Sequence, residues 1–193
     1  MARYISHRLA AAPAVSANGY VVSVAMGNKS YTLAANNPTS GARHITLVRT
    51  VVGAADTPGT VLITGTDMGG NAITETMTPG ATGVTVTGTR FFATVSDITG
   101  SGWTTNTGDD TIVIGWDAQC ALAAGSGSLR GFLVAVTHAS TVTITDATGT
   151  LLVLPNSFPV GWYQLDLGYS GYLRVETGGT QDFVVIHSPS TPY

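Results

Sequence analysis

Hydrophobic and polar residues alternate along much of this chain. In "GVTVTGTRFFATV", Val84 and Val86 are interleaved with Thr85 and Thr87. In "RHITLVRTVV", Ile45 and Leu47 share one side, with His44, Thr46 and Val48 on the other. "TIVIGW" sets Ile112, Ile114 and Trp116 together. A period of two buries one face of a strand, whereas an amphipathic helix needs apolar positions three and four apart. The residue types agree, because β-branched Thr and Val suit a pleated surface better than a helical turn. Only "ARYISHRLAAA" and "DAQCALAAG" read as a helical turn or two.

Turn signals divide these runs: Ala-Asn-Asn-Pro at 35–38, Thr-Pro-Gly at 57–59, Pro-Gly at 79–80 and Gly-Asp-Asp at 108–110. Short strands with frequent turns predict an all-β fold of two small antiparallel β-sandwiches, Ig-like or jelly-roll-like. The boundary falls at "AAGSGSLRG", where small flexible residues interrupt the strand pattern. The expected organisation is an extended N-terminal arm over 1–20, a first sandwich over 21–122, a linker over 123–130 and a smaller sandwich with a tail over 131–193. Within it, "TVTITDATGTLLVLP" echoes "VLITGTDMGGNAITETMTP", and both read as hairpins.

Composition changes the picture in one respect. Of 193 residues only 10% are charged, against 44% hydrophobic, where soluble proteins average about a quarter charged. So little charge predicts a surface partly given over to other subunits. Eight basic and eleven acidic residues leave a net charge of −3, and the basic residues form no cluster, so direct nucleic-acid binding is not expected. The apolar run near the start is short and broken by Pro13, which argues against a signal peptide. No segment approaches the roughly 20 apolar residues of a membrane-spanning helix. Cys120, the single cysteine, reads as a small buried apolar residue.

Asp67-Met68-Gly69-Gly70-Asn71 offers two oxygen-bearing side chains, with Glu75 in the following strand. Calcium takes six to eight oxygens, while Asp and Gly are turn formers, so the segment reads as a turn. Asp109, Asp110 and Asp117 raise the paired carboxylates of a glycosidase, but adjacent acids in a turn read as a solvated loop. His7, His44, His138 and His187 share no metal-ligand spacing. Ser170 in "GYSGY" misses the nucleophile elbow, and "GSGSLRG" and "GNKS" miss the dinucleotide and phosphate loops. No catalytic residue, cofactor or metal is expected. Trp103, Trp116, Trp162 and Tyr163 are candidates for a sugar-stacking platform, Trp103 and Trp162 foremost, although such aromatics serve more often as core or interface anchors.

Three stretches together resemble a module that recurs in virion structural proteins of tailed bacteriophages: "RHITLVRTVV", "TVLITGTDMGGNAITETMTPG" and "VTVTGTRFFATVSDITGSG". The shared features are a Thr-Gly-Thr-Asp hairpin, an Ile-Thr-Glu strand and an aromatic strand ending in "VSDITGSG". The resemblance implies a non-enzymatic part of the virion, assembled in the bacterial host cytoplasm. First in order is a capsid decoration (cement) protein bound to the major capsid protein. A neck, tail or baseplate component is the alternative, and a carbohydrate-binding adhesin the second. The scarcity of charge also predicts a symmetric homo-oligomer, a trimer if the protein decorates a capsid. On this reading the N-terminal arm is the tether. Arg3, Tyr4, Ile5, Arg8 and Leu9 are its expected assembly contacts, with the arginines paired to acidic groups of a neighbour.

Overall fold

The computed structural model describes residues 4–9, 15–34, 41–53, 56–104, 110–137, 139–177 and 182–190. Among them are fourteen strands and no helix, so the fold is all-β, as the alternation predicts. The chain divides into two compact units, Val15–Asp117 and Met1–Ala14 with Ala118–Tyr193. The N-terminal strand β1 (Ile5–Leu9) belongs to the latter.

In the Val15–Asp117 unit, two antiparallel sheets enclose one core. One sheet has the order β2-β8-β3-β6, formed by β2 (Ser16–Ala25), β3 (Ala42–Thr50), β6 (Thr85–Phe92) and the first half of β8 (Thr111–Ala124). The other has the order β5-β4-β7, formed by β4 (Thr60–Thr66), β5 (Ala72–Met77) and β7 (Thr94–Ser101). The alternating residues supply the core between them: Ile45 and Leu47 from β3, Val61 and Ile63 from β4, Ile112 and Ile114 from β8. Each such side chain contributes roughly 1.5–3 kcal/mol on burial.

Polar groups complete this unit where the ladders break. The β3–β6 register jumps between His44 opposite Phe91 and Thr46 opposite Thr87, leaving the intervening residues of β6 without partners on β3. Glu75 of β5 meets that need, accepting hydrogen bonds from the N–H groups of Thr89 (2.6 Å) and Arg90 (3.3 Å). Glu75 thus satisfies backbone donors that the interrupted ladder leaves free, at an exposed position of β6.

In the other unit, β1 forms one sheet with β9 (Gly127–Val136), β12 (Gly161–Tyr169) and β14 (Asp182–Pro189), in the order β1-β14-β9-β12. The facing sheet joins β10 (Val142–Asp146), β11 (Gly149–Leu154) and β13 (Tyr172–Thr177) to the end of β8. Leu9, Leu122, Leu129, Phe132, Ile144, Val175, Phe183 and Val185 bury between them, and Phe132 stacks on Tyr163 with ring centroids 5.0 Å apart.

Three expectations are corrected here. The residues read as an arm include an edge strand: Ile5 to Leu9 pair with His187 to Phe183, so β1 closes the second sandwich instead of reaching away from the first. Residues 123–130 are not a linker. Ala123 and Ala124 end β8, Gly125 turns the chain with φ of 79°, and β9 begins at Gly127. "DAQCALAAG" is strand, with Cys120 and Leu122 buried in it. Its small side chains suit a helix locally, but tertiary burial against β13 decides the outcome.

Candidate functional site

The segment 67–71 joins β4 to β5. The Asp67 carboxylate accepts the N–H groups of Gly69 (2.8 Å) and Asn71 (3.0 Å), and Gly70 takes a φ of 79°. Asp67 thus bonds its own loop, and β4 reverses into β5 there. The echoing hairpin uses the same device. Asp146 accepts from Thr148 (2.7 Å) and Gly149 (3.1 Å) and also from the Ser170 N–H (2.9 Å). Burial alone would raise the Asp146 carboxyl, but the hydrogen bonds from Thr148, Ser170 and Gly149 outweigh it and hold it below its ordinary value.

The acidic cluster departs from expectation. Asp109 lies outside the described residues, whereas Asp110 is wholly buried rather than solvated. Its partner is Arg49 on β3, whose Nε and terminal nitrogen donate to Asp110 at 2.8 and 2.5 Å. The N–H groups of Val52 and Asp56 add bonds of 3.0 and 3.2 Å, and the Asp56 carboxylate accepts the Asp110 N–H at 2.8 Å. Burial pushes the Asp110 carboxyl up, but the bonds from Val52, Arg49 and Asp56 prevail and hold it ionised below the ordinary range. This is a structural lock with every polar oxygen engaged. Asp117 faces elsewhere, 3.2 Å from His44 Nδ1.

The histidines show a pairing that linear spacing hides. His7 and His187 meet across β1 and β14, 180 positions apart, and Tyr169 closes on His187 Nδ1 at 2.9 Å. His138 lies outside the described residues. Among the described residues, no three His, Cys, Asp or Glu side chains form a metal-binding group.

The aromatic candidates separate cleanly. Trp103 is buried at 5% exposure, with its backbone clamped by Asn28 through bonds of 2.9 and 3.0 Å. Trp116 is half-buried against Tyr20, and Tyr163 turns inward onto Phe132. Trp162 stands out at 51% exposure, so it is the one of the four offered to a ligand. It lines an open trough of about 410 Å³ with Tyr4, Arg130, Gln164, Asp166 and Ile186.

The expected assembly residues divide as well. Tyr4 is exposed at 66%, Ile5 is half-buried and Leu9 is in the core. Arg8 donates to Asp182 of its own chain at 2.8 and 2.5 Å, which removes the reason to seek an acid on a neighbour. Arg3 lies outside the described residues. In the other unit, the edge strand β2 borders an open groove of about 440 Å³ whose lining mixes apolar Val22, Val24 and Leu33 with polar Ser23, Lys29 and Thr32. Val22 is 57% exposed there.

No protein-family model, curated protein or solved structure matches this chain.

Proposed function

We propose that this chain is a non-enzymatic structural protein of a tailed-bacteriophage virion, foremost a capsid decoration protein that binds the assembled shell. The observation that carries the reading is the β2 edge of the Val15–Asp117 unit. Strand β2 has β8 as its strand partner, leaves Val22 exposed and borders the open groove. A strand edge beside apolar side chains is a docking element for a neighbouring chain, which gains backbone hydrogen bonds and side-chain pockets together. With charged residues at 10% of the chain, little on the surface opposes such contact. A protein that binds only the assembled shell stabilises the shell by mass action. The resemblance over "TVLITGTDMGGNAITETMTPG" and the stretches around it supports the virion setting.

The test is immunogold electron microscopy of particles purified from lysates of the producing host, with antibody raised against this chain. Regular labelling over the head is expected. Label confined to the neck, tail or baseplate moves the protein to that part of the particle, and particles without label sink the reading.

A further inference from the structure

We propose that the outer face of the β1-β14-β9-β12 sheet is a saccharide-binding trough, with Trp162 as its stacking surface and the Arg130–Asp166 pair as its reader of hydroxyl groups. This inference is independent of the virion reading, because it concerns one face of one unit whatever particle carries it.

Strand register builds the trough. Across the four strands, Ser6, Ile186, Gly131 and Gln164 fall in one row, and Arg8, Val184, Leu133 and Trp162 in the next. The first row is low at its centre because Gly131 has no side chain. A Cβ on Gly131 would lie 2.9 Å from Trp162 Cζ2 and 3.0 Å from Cη2, so the indole occupies the space that the glycine leaves. The ring is therefore seated on the β9 backbone, yet half of the residue remains exposed. A freely projecting tryptophan would need no such glycine.

A bulge supplies the polar side. Ile186 pairs with Gly131 and His187 with Leu129, which leaves Arg130 as the extra residue of β9. Arg130 donates to Asp166 Oδ1 at 2.7 Å and to Ser188 Oγ at 3.3 Å. Asp166 is 72% exposed and Arg130 36% exposed. An exposed ion pair of this kind adds at most about 1 kcal/mol to stability.

A pyranose has an apolar C–H face and a rim of hydroxyls, each both donor and acceptor. Trp162 suits the face, while the Asp166 carboxylate accepts, the Arg130 guanidinium donates and Gln164 does both. The trough volume of about 410 Å³ lies within the roughly 300–1,000 Å³ of small-molecule clefts. Trp and Arg are also common at protein interfaces, so a second copy of the chain is the competing occupant that the test below separates.

The full-length protein should be applied to an array of immobilised hexoses, 6-deoxyhexoses, N-acetylhexosamines and their oligomers, and any hit titrated in solution. Binding to at least one class is expected. Trp162→Ala should weaken it at least tenfold, Asp166→Asn at least threefold, and Trp162→Phe should restore part of the loss. The Trp162→Ala protein should remain folded by circular dichroism at the assay temperature, which separates lost binding from lost folding. Absence of binding across the array overturns the proposal, as does binding that survives Trp162→Ala. If ultracentrifugation shows Trp162→Ala splitting an oligomer while no saccharide binds, the face belongs to a second copy of the chain and the proposal fails.

Discussion

His7 Nε2 lies 3.2 Å from His187 Nε2, with the two rings stacked at a centroid distance of 5.3 Å and an interplanar angle of 9°. One nitrogen must donate and the other accept, so this contact requires at least one neutral ring. Tyr169 bonds the far nitrogen of His187, while Arg8 is on the strand face opposite His7 and pairs with Asp182. Burial, and then the proximity of His7, push His187 down from 6.5 to about 4, and burial also lowers His7.

Stability should therefore depend on pH in a defined window. Between 6.5 and about 4 the unfolded chain binds protons that folded His187 does not. Stability rises with pH wherever the unfolded state binds more protons. The contribution is complete above 6.5 and is lost as pH falls toward about 4. Asp110, Asp146 and Asp182 are all lowered from 3.8, so their contributions are lost in a separate window below that value. Urea midpoints measured from pH 8 to 3 should show both declines. In the double variant His7→Gln/His187→Gln the upper decline should flatten and the lower remain. An unchanged upper slope would refute the assignment.

The Arg49–Asp110 lock gives a second expectation. Asp110→Ala leaves a buried guanidinium unpaired and strands the N–H groups of Val52 and Asp56. Breaking a buried pair from one side costs about 3–5 kcal/mol. Asp67→Ala removes bonds in an exposed turn and should cost about 1 kcal/mol or less. Chemical denaturation of the two variants checks the order, and equal losses would return Asp110 to the surface.

The lock also explains what sequence reading reaches and where it stops. Alternation in "RHITLVRTVV" and "TIVIGW" predicts strands and the inward side of each, because both follow from a period of two inside one strand. The turn at Asp67 is equally local, since its acceptor and donors lie within four residues. Asp110 reads as a solvated loop residue because Gly-Asp-Asp is a turn signal, while its partner, Arg49, is 61 positions away. "YISHRLA" contains the correct alternation of Ile5, His7 and Leu9, but nothing nearby names β14 as its partner. Trp162 and Gly131 likewise meet only through the β9–β12 register.

The tryptophans should rank by burial. Trp116 sits in a clearly alternating strand, which predicts the largest loss on truncation there. The structure instead favours Trp103, buried at 5% and clamped by Asn28. Trp103→Ala should cost about 3–5 kcal/mol as a large core truncation. Trp116→Ala should cost less, because Trp116 is half-buried. Thermal melts of both variants decide it, and a larger shift for Trp116 would contradict the packing described.

The N-terminal strand distinguishes a tether from a structural element. If residues 1–14 were a free arm, deleting them would leave both units at full stability and affect attachment alone. The register of β1 on β14 argues otherwise. Deletion removes five paired residues, uncovers the β14 edge and takes Leu9, 2% exposed, out of the core. Leu9→Ala alone should cost about 2–5 kcal/mol, the range for truncating a buried leucine. Arg8→Ala should cost far less than Leu9→Ala, because its bond to Asp182 is at the surface. Hydrogen exchange followed by mass spectrometry provides the direct measurement. In the 1–14 deletion, amides of β14 should lose protection while those of β4 and β7 keep theirs. If β14 amides exchange as slowly as in the intact chain, β1 is not part of the sandwich, and the tether reading returns.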